Sequence, residues 1–409
     1  MAKILPFNGL LAPAQKMPQV AAVPYDVVNS EEAAALASGN PLSFLRVSRP
    51  EIEMAAGIDL HCDAVYEKAA ANFKRLCAEA PLKIDPEKHL YLYRLQMGDH
   101  VQTGVVGAVS AAEYNAGTIK KHEKTRQDKE DDRTRHVMTL RSHTGPAFLT
   151  YRDSTAVNSM IEQLTVEKPL CSFTSPDDII HTLWRVTPDD STKLSKLFAD
   201  VPCLYIADGH HRSAAAARTA AECAPKNPNH SGNEDYNYFL AVTFPQSQLR
   251  ILSYNRVVKS LKGLSKEQLL TKIGEKFDVA KTSNPEPQKS GEFCIYLDQQ
   301  WYLARPKFDA STRGVIGCLD VSVLQDDILA PLLGIDDPRT SHEVDFIGGI
   351  RGTAELTKLV DSGKFAVAFS MYPTTLNQLM DIADAGEVMP PKSTWFEPKL
   401  RDGVVCHNF

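Results

Sequence analysis

The chain of 409 residues has a formal net charge of −6, with 43% hydrophobic and 23% charged residues. That length exceeds one ordinary core and calls for two or three globular units. No run approaches the ~20 uninterrupted apolar residues that span a bilayer, and neither a secretory leader nor a basic excess for nucleic acid is present, so a soluble, cytoplasmic protein is expected, with no nucleic-acid or membrane partner.

In chain order, Pro24-Tyr25-Asp26 forms a turn, and Asn29 or Ser30 caps a short helix over 31–37. Val65, Ala69, Phe73 and Leu76 recur at helical spacing with charges between them, which predicts an amphipathic helix over 64–80. The period then falls to two: β-rich runs over 90–97 and 101–109, separated by Gly98-Asp99, predict a hairpin. Further strands are expected over 147–151, 182–186, 202–207, 238–244 and 249–254, and helices over 191–199 and 213–224. Beyond residue 259 the pattern predicts helices over 265–277, 321–333, 354–361 and 376–383, a hairpin over 293–303, a strand over 365–370 and a proline-rich tail. The fold class is α/β in the broad sense, a mixed α+β core, divided as 1–88, 89–259 and 260–409. The eight cysteines are scattered without a CxxC pair and read as reduced packing residues.

The densest charge run is Lys120-Lys121-His122-Glu123-Lys124-Thr125-Arg126 followed by 128–136. A solvated helical face has the same composition. Here the run also gathers basic groups, hydroxyls and carboxylates, the mixture phosphoryl transfer requires. Glu123, flanked by cations, stays ionised and suits a general base, while Lys121, His122 and Arg126 would neutralise phosphate and Thr125 lies close by. Asp131 and Asp132 are less clear, and Arg133, Arg135 and His136 suit helix pairing.

The second constellation follows the apolar run Leu204-Tyr205-Ile206-Ala207: Asp208-Gly209-His210-His211-Arg212, leading into the helix-forming Ser213-Ala214-Ala215-Ala216-Ala217. The first N–H groups of a helix lack intrahelical partners and the dipole there is positive, so a phosphate is favoured. Gly209 lets the backbone approach it, His210 and His211 donate, and Arg212 offers a planar fork. Asp208 would repel a phosphate unless a cation or a proton intervenes, which makes it a Mg²⁺ ligand or an acid/base group; a plain helix cap would leave His-His-Arg unexplained. A zinc site is disfavoured because adjacent histidines point apart. Weaker candidates are Tyr25, Asp26, Arg351 and the tail residues Lys392, Ser393, Thr394 and Lys399. No GxxxxGK[ST] loop and no GxGxxG after a strand is present, against P-loop and Rossmann enzymes.

Pro24-Tyr25-Asp26-Val27-Val28, the Lys121–Thr125 run, Tyr205 to Arg212, Tyr236-Asn237-Tyr238-Phe239 and Pro390-Pro391-Lys392-Ser393-Thr394 together resemble the bacterial domain-of-unknown-function family 1015 over nearly the whole chain. The Asp-Gly-His-His-Arg turn also resembles that of free serine kinases in the ParB/sulfiredoxin-like superfamily. That resemblance implies a phosphate-binding core with additional N- and C-terminal α+β segments. It implies that Asp208 and Glu123 carry the chemistry and that His210, His211 and Arg212 hold phosphate.

The leading expectation is a Mg²⁺-dependent phosphotransferase interconverting free L-serine and O-phosphoserine, with ATP, ADP or pyrophosphate as phosphate donor or acceptor. The rivals are a ParB-like nucleotide-binding regulator and a phosphoserine hydrolase.

Overall fold

The computed structural model describes residues 2–409, and its mixed α+β architecture is that expected from the sequence. The chain packs as two compact units, Met1–Leu249 with Pro398–Phe409, and Arg250–Glu397. This division differs from the expected 1–88, 89–259 and 260–409 in two ways. The N-terminal segment supplies a strand to the main sheet, and the end of the chain returns to the first unit.

The first unit is built on a nine-stranded sheet. Its strands are β1 Ile4–Leu5, β2 Tyr91–Met97, β3 His100–Ser110, β4 Ile119–Lys120, β5 Ala147–Tyr151, β6 Cys171–Thr174, β7 Ile180–Arg185, β8 Leu204–Asp208 and β9 Tyr238–Pro245. The order is β4-β8-β5-β9-β3-β2-β7-β6, with β1 alongside β3. The pairs β4·β8 and β5·β9 are parallel and the remaining neighbours antiparallel. The hairpin β2–β3 turns at Gly98, whose φ of 59° favours glycine, and Met97 pairs with His100 across the two-residue loop.

Ile4, Leu92, Val105, Leu149, Tyr151, Phe198, Leu204, Ile206 and Phe239 are all buried in one core cluster. Each such side chain withdrawn from water contributes roughly 1.5–3 kcal/mol. Two helices position the site, α1 over Gln127–Leu140 and α2 over His210–Cys223, and they pack side by side. The alanines 214–217 and 220 of α2 are buried, and their small side chains allow close packing.

The charged run therefore becomes a helix with one buried face, through Thr134, His136 and Leu140. A four-stranded sheet joins Lys83–Ile84, Gly9–Leu11, Cys406–Asn408 and Ser142–His143, which fixes the end of the chain on the first unit.

In the second unit a six-stranded sheet runs in the order Phe277–Thr282, Gln300–Pro306, Phe293–Leu297, Val367–Met371, Tyr254–Val258, Val344–Gly348. The strand expected over 249–254 divides at Ser253: Arg250–Leu252 pairs with Trp395–Glu397, whereas Tyr254–Val258 enters the six-stranded sheet. The helix expected over 321–333 is interrupted by a π-helical turn at Gln325–Leu329. Pro331 lacks the N–H that would reach back four residues, and a widened turn accommodates that loss. All eight cysteines are free thiols, and among the described residues no helix is long and apolar enough to cross a membrane.

Candidate functional site

The strand β8 ends in a register shift between Ile206 and Asp208 against β5, and such a bulge re-aims the side chain that follows it. Gly209 then adopts φ 89°, ψ 33°, a left-handed conformation that L side chains resist, and α2 starts at His210 without a side-chain cap. An added Cβ at Gly209 would stand 3.0 Å from Arg212 Nε, so the guanidinium lies over the turn.

Asp208 has both oxygens engaged: Oδ1 accepts from the Gly209 N–H at 2.8 Å, and Oδ2 accepts from Lys399 Nζ at 2.9 Å. Burial alone would raise this carboxyl, but Lys399 and then Arg212 outweigh it and hold it well below the usual carboxylate range. Asp208 is therefore ionised at neutral pH and is not a proton donor there.

Arg212 Nη1 donates to the Pro146 carbonyl at 2.5 Å, and Nη2 stands between Asp208 Oδ2 at 3.8 Å and Asp26 Oδ2 at 3.9 Å. Both carboxylate distances are too long for hydrogen bonds, so the fork is attracted by them without being closed by them.

The segment 121–126 lies against the first turn of α2. The His122 N–H meets His210 Nε2 at 3.4 Å and the Arg126 N–H meets His211 Nε2 at 3.1 Å. A ring nitrogen that accepts leaves the proton on the other one, so His210 carries it on Nδ1. That atom stands 3.7 Å from Glu123 Oε2. Glu123 is 44% exposed while the His210 side chain is 4% exposed, so the pair spans the boundary between protein and solvent.

The rings of His122 and His210 meet edge to face at 4.4 Å. Burial pushes His122 down to about 4 and lowers His210 well below the ordinary histidine range. His122 is thus held neutral, with its ring packed edge to face on His210.

The other expected residues divide. Lys121 sits over the Tyr114 ring at 3.9 Å, and burial lowers its ammonium. Arg126 is 72% exposed and its guanidinium is paired with Asp128 at 2.8 Å, so its backbone rather than its side chain meets the turn. Thr125 donates its hydroxyl to Glu130 at the start of α1. Tyr25 and Asp26 join the group around the turn: Arg133 lies over the Tyr25 ring at 4.0 Å, and Asp26 faces Arg212. Lys392 belongs to the second unit, where its ammonium lies over the Tyr254 ring at 5.8 Å.

Sequence reasoning missed Asp402. Its carboxyl lines a 40 Å³ cavity with Tyr25, Arg133, His143 and Arg212, a space for one or two water molecules. Burial, opposed by Arg212, pushes this carboxyl up to about 7. No local pattern marks a carboxylate that only tertiary folding buries.

A Mg²⁺ ion takes one or two carboxylates beside substrate phosphates. Asp208, with one oxygen on an N–H and the other on an ammonium, does not fit as that carboxylate while Lys399 holds it. Among the described residues no group of three His, Cys, Asp or Glu side chains is placed to hold a metal ion.

A family model described as "Protein of unknown function (DUF1015)" matches residues 4–322. No curated protein matches the chain. Among solved structures, the chain is similar to a free serine kinase in complex with AMP, at 14% identity and a TM-score of 0.35 over 72% of this chain and 86% of that one. It is also similar to SbnI with a C-terminal truncation from Staphylococcus aureus, at 11% identity and a TM-score of 0.38 over 73% and 85%. A conserved hypothetical protein from Pyrococcus furiosus matches at 14% identity and a TM-score of 0.34 over 73% and 93%.

Proposed function

The chain belongs to the DUF1015 family, and from that premise we propose that it is a phosphotransferase acting on a small hydroxyl compound, free L-serine or its phosphomonoester. One observation carries the reading: the Glu123 carboxylate stands 3.7 Å from His210 in the first turn of a helix whose N-terminus has no side-chain cap. A base and an anion site thus adjoin, although 85 or more residues separate their segments.

In the forward direction the terminal phosphate of a nucleotide or pyrophosphate rests on the N–H groups that open α2, with Arg212 beside it. The serine hydroxyl oxygen attacks phosphorus, the bond to the bridging oxygen of the donor breaks, and that oxygen leaves with the bonding pair. The hydroxyl proton passes to Glu123, whose carboxylate stands 3.7 Å from the His210 ring at the first turn of α2. The assignment of a nucleotide or pyrophosphate rests on the resemblance of the Asp-Gly-His-His-Arg turn to that of free serine kinases. No step is derived through a metal ion on Asp208, whose oxygens are already engaged.

The test is phosphorus NMR of the full chain with Mg²⁺ and serine or phosphoserine, against ATP, ADP and pyrophosphate. The expected result is an O-phosphoserine resonance growing with serine and one donor, and its reversal with phosphoserine and the matching acceptor. Binding of donors with no transfer to any hydroxyl would replace this reading by a nucleotide-binding regulator. Phosphate released from phosphoserine without an acceptor would replace it by a hydrolase.

A further inference from the structure

The last segment of the first unit, Pro398–Phe409, reaches the site only after the chain has passed through the second unit. It is held at several points. Asp402 and Ala22 exchange backbone hydrogen bonds at 2.8 and 3.1 Å, Arg401 Nη2 donates to Asp177 at 2.6 Å, and Cys406–Asn408 pairs with two strands. Lys399 is carried on this anchored return, with its side chain only 12% exposed, and its ammonium donates to Asp208 Oδ2 at 2.9 Å.

An ionised aspartate beside the N-terminus of a helix opposes any anion bound there. Arg212 cannot offset it alone, because its fork is fixed by Pro146 and its charge is shared between Asp26 and Asp208 at nearly 4 Å. Lys399 is the cation with a short hydrogen bond to Asp208.

We propose that Lys399 is a positioning residue of the phosphate site: it neutralises Asp208, so that a phosphoanhydride can rest at the start of α2 beside a carboxylate, in the place a divalent cation on Asp208 would otherwise fill. The inference rests on the phosphotransferase reading above and adds to it the group that makes the aspartate compatible with a polyanion. The depression of the Asp208 carboxyl, in which Lys399 is the largest favourable influence, agrees with the geometry.

The test is titration calorimetry of inorganic pyrophosphate into the full chain, with Mg²⁺ and with EDTA, accompanied by thermal melting of each variant. K399M should weaken binding by about tenfold or more, whereas K399R should stay within about threefold of wild type. The double variant D208N/K399M, which removes both charges, should recover to within about threefold of wild type.

A role confined to folding would not produce that rescue. Wild-type affinity in K399M, or a double variant as weak as K399M, overturns the proposal and leaves the phosphotransferase reading standing. If K399M does not fold, the double variant decides: it must fold and bind within the stated range. Wild type that binds no pyrophosphate under either condition overturns this proposal, and the phosphotransferase reading falls with it only if ATP and ADP do not bind either.

Discussion

Two helices of the second unit and α2 of the first begin differently. In the second unit, Ser265 accepts from the Gln268 N–H at 3.2 Å while the Gln268 side chain accepts from the Ser265 N–H at 2.8 Å. Thr375 and Gln378 repeat that reciprocal pattern at 3.2 and 2.9 Å. Each box satisfies two of the donors that a helix start leaves without partners. In the first unit, α2 starts from a left-handed glycine with no such box, and the adjacent Asp208 spends Oδ1 on Gly209 and Oδ2 on Lys399. A closed start stabilises its helix, whereas an uncapped one forgoes that gain. An uncapped start alone does not mark a site, since Thr155–Leu164 also has one; what sets α2 apart is the charged group of Asp208, Arg212 and Lys399 around its first turn.

The strongest way to break this contrast is to remove charge from the open start. Glu123→Gln should lower phosphate transfer by ~100-fold or more, the scale of losing one acid/base group. Its melting temperature should remain close to wild type. Turnover within a few-fold of wild type in a folded variant would remove that residue from the mechanism.

A second test addresses Asp402 in the cavity behind Arg212. Its carboxyl is pushed up to about 7, so the native state holds its proton more tightly than the unfolded chain does. The resulting stability is complete below the unfolded value near ~3.9 and is lost as the pH rises through the folded value. Denaturant titrations at a series of pH values should show wild type falling, relative to Asp402→Asn, by on the order of 4 kcal/mol across that window. Parallel pH curves for the two proteins would show that Asp402 does not titrate there.

Much of this arrangement is legible before folding. The Gly98-Asp99 hairpin, the strand ending at Asp208 and the alanine-rich helix after it follow from local period and turn chemistry, because each signal lies within a few residues. Glu123 was legible as a carboxylate among cations, but its approach to His210 depends on backbone hydrogen bonds to the two histidines, which no spacing encodes. The helix Gln127–Leu140 was obscured because its many charges hide the narrow buried stripe of Thr134, His136 and Leu140. The helix Thr155–Leu164 was not foreseen, and Ser154 before it makes no side-chain cap bond. Lys399 stood in the sequence only as one basic residue of a tail; its partner lies 191 residues earlier.

The smaller predictions sharpen the contrast from both sides. Gly209→Ala forces a Cβ into a left-handed position, which costs about 1–2 kcal/mol, and it presses on Arg212 Nε at 3.0 Å. It should lower both the melting temperature and pyrophosphate affinity. Ser265→Ala removes one closed start in the second unit and should cost about 1 kcal/mol of stability, the usual loss for a cap. Its effect on pyrophosphate affinity should be nil, since its hydroxyl accepts from the helix it caps. The two variants therefore form a pair in which similar losses of stability have different consequences for binding. Equal losses of affinity in both would mean that pyrophosphate binding follows global stability, and the distinction between the open and the closed helix starts would fail.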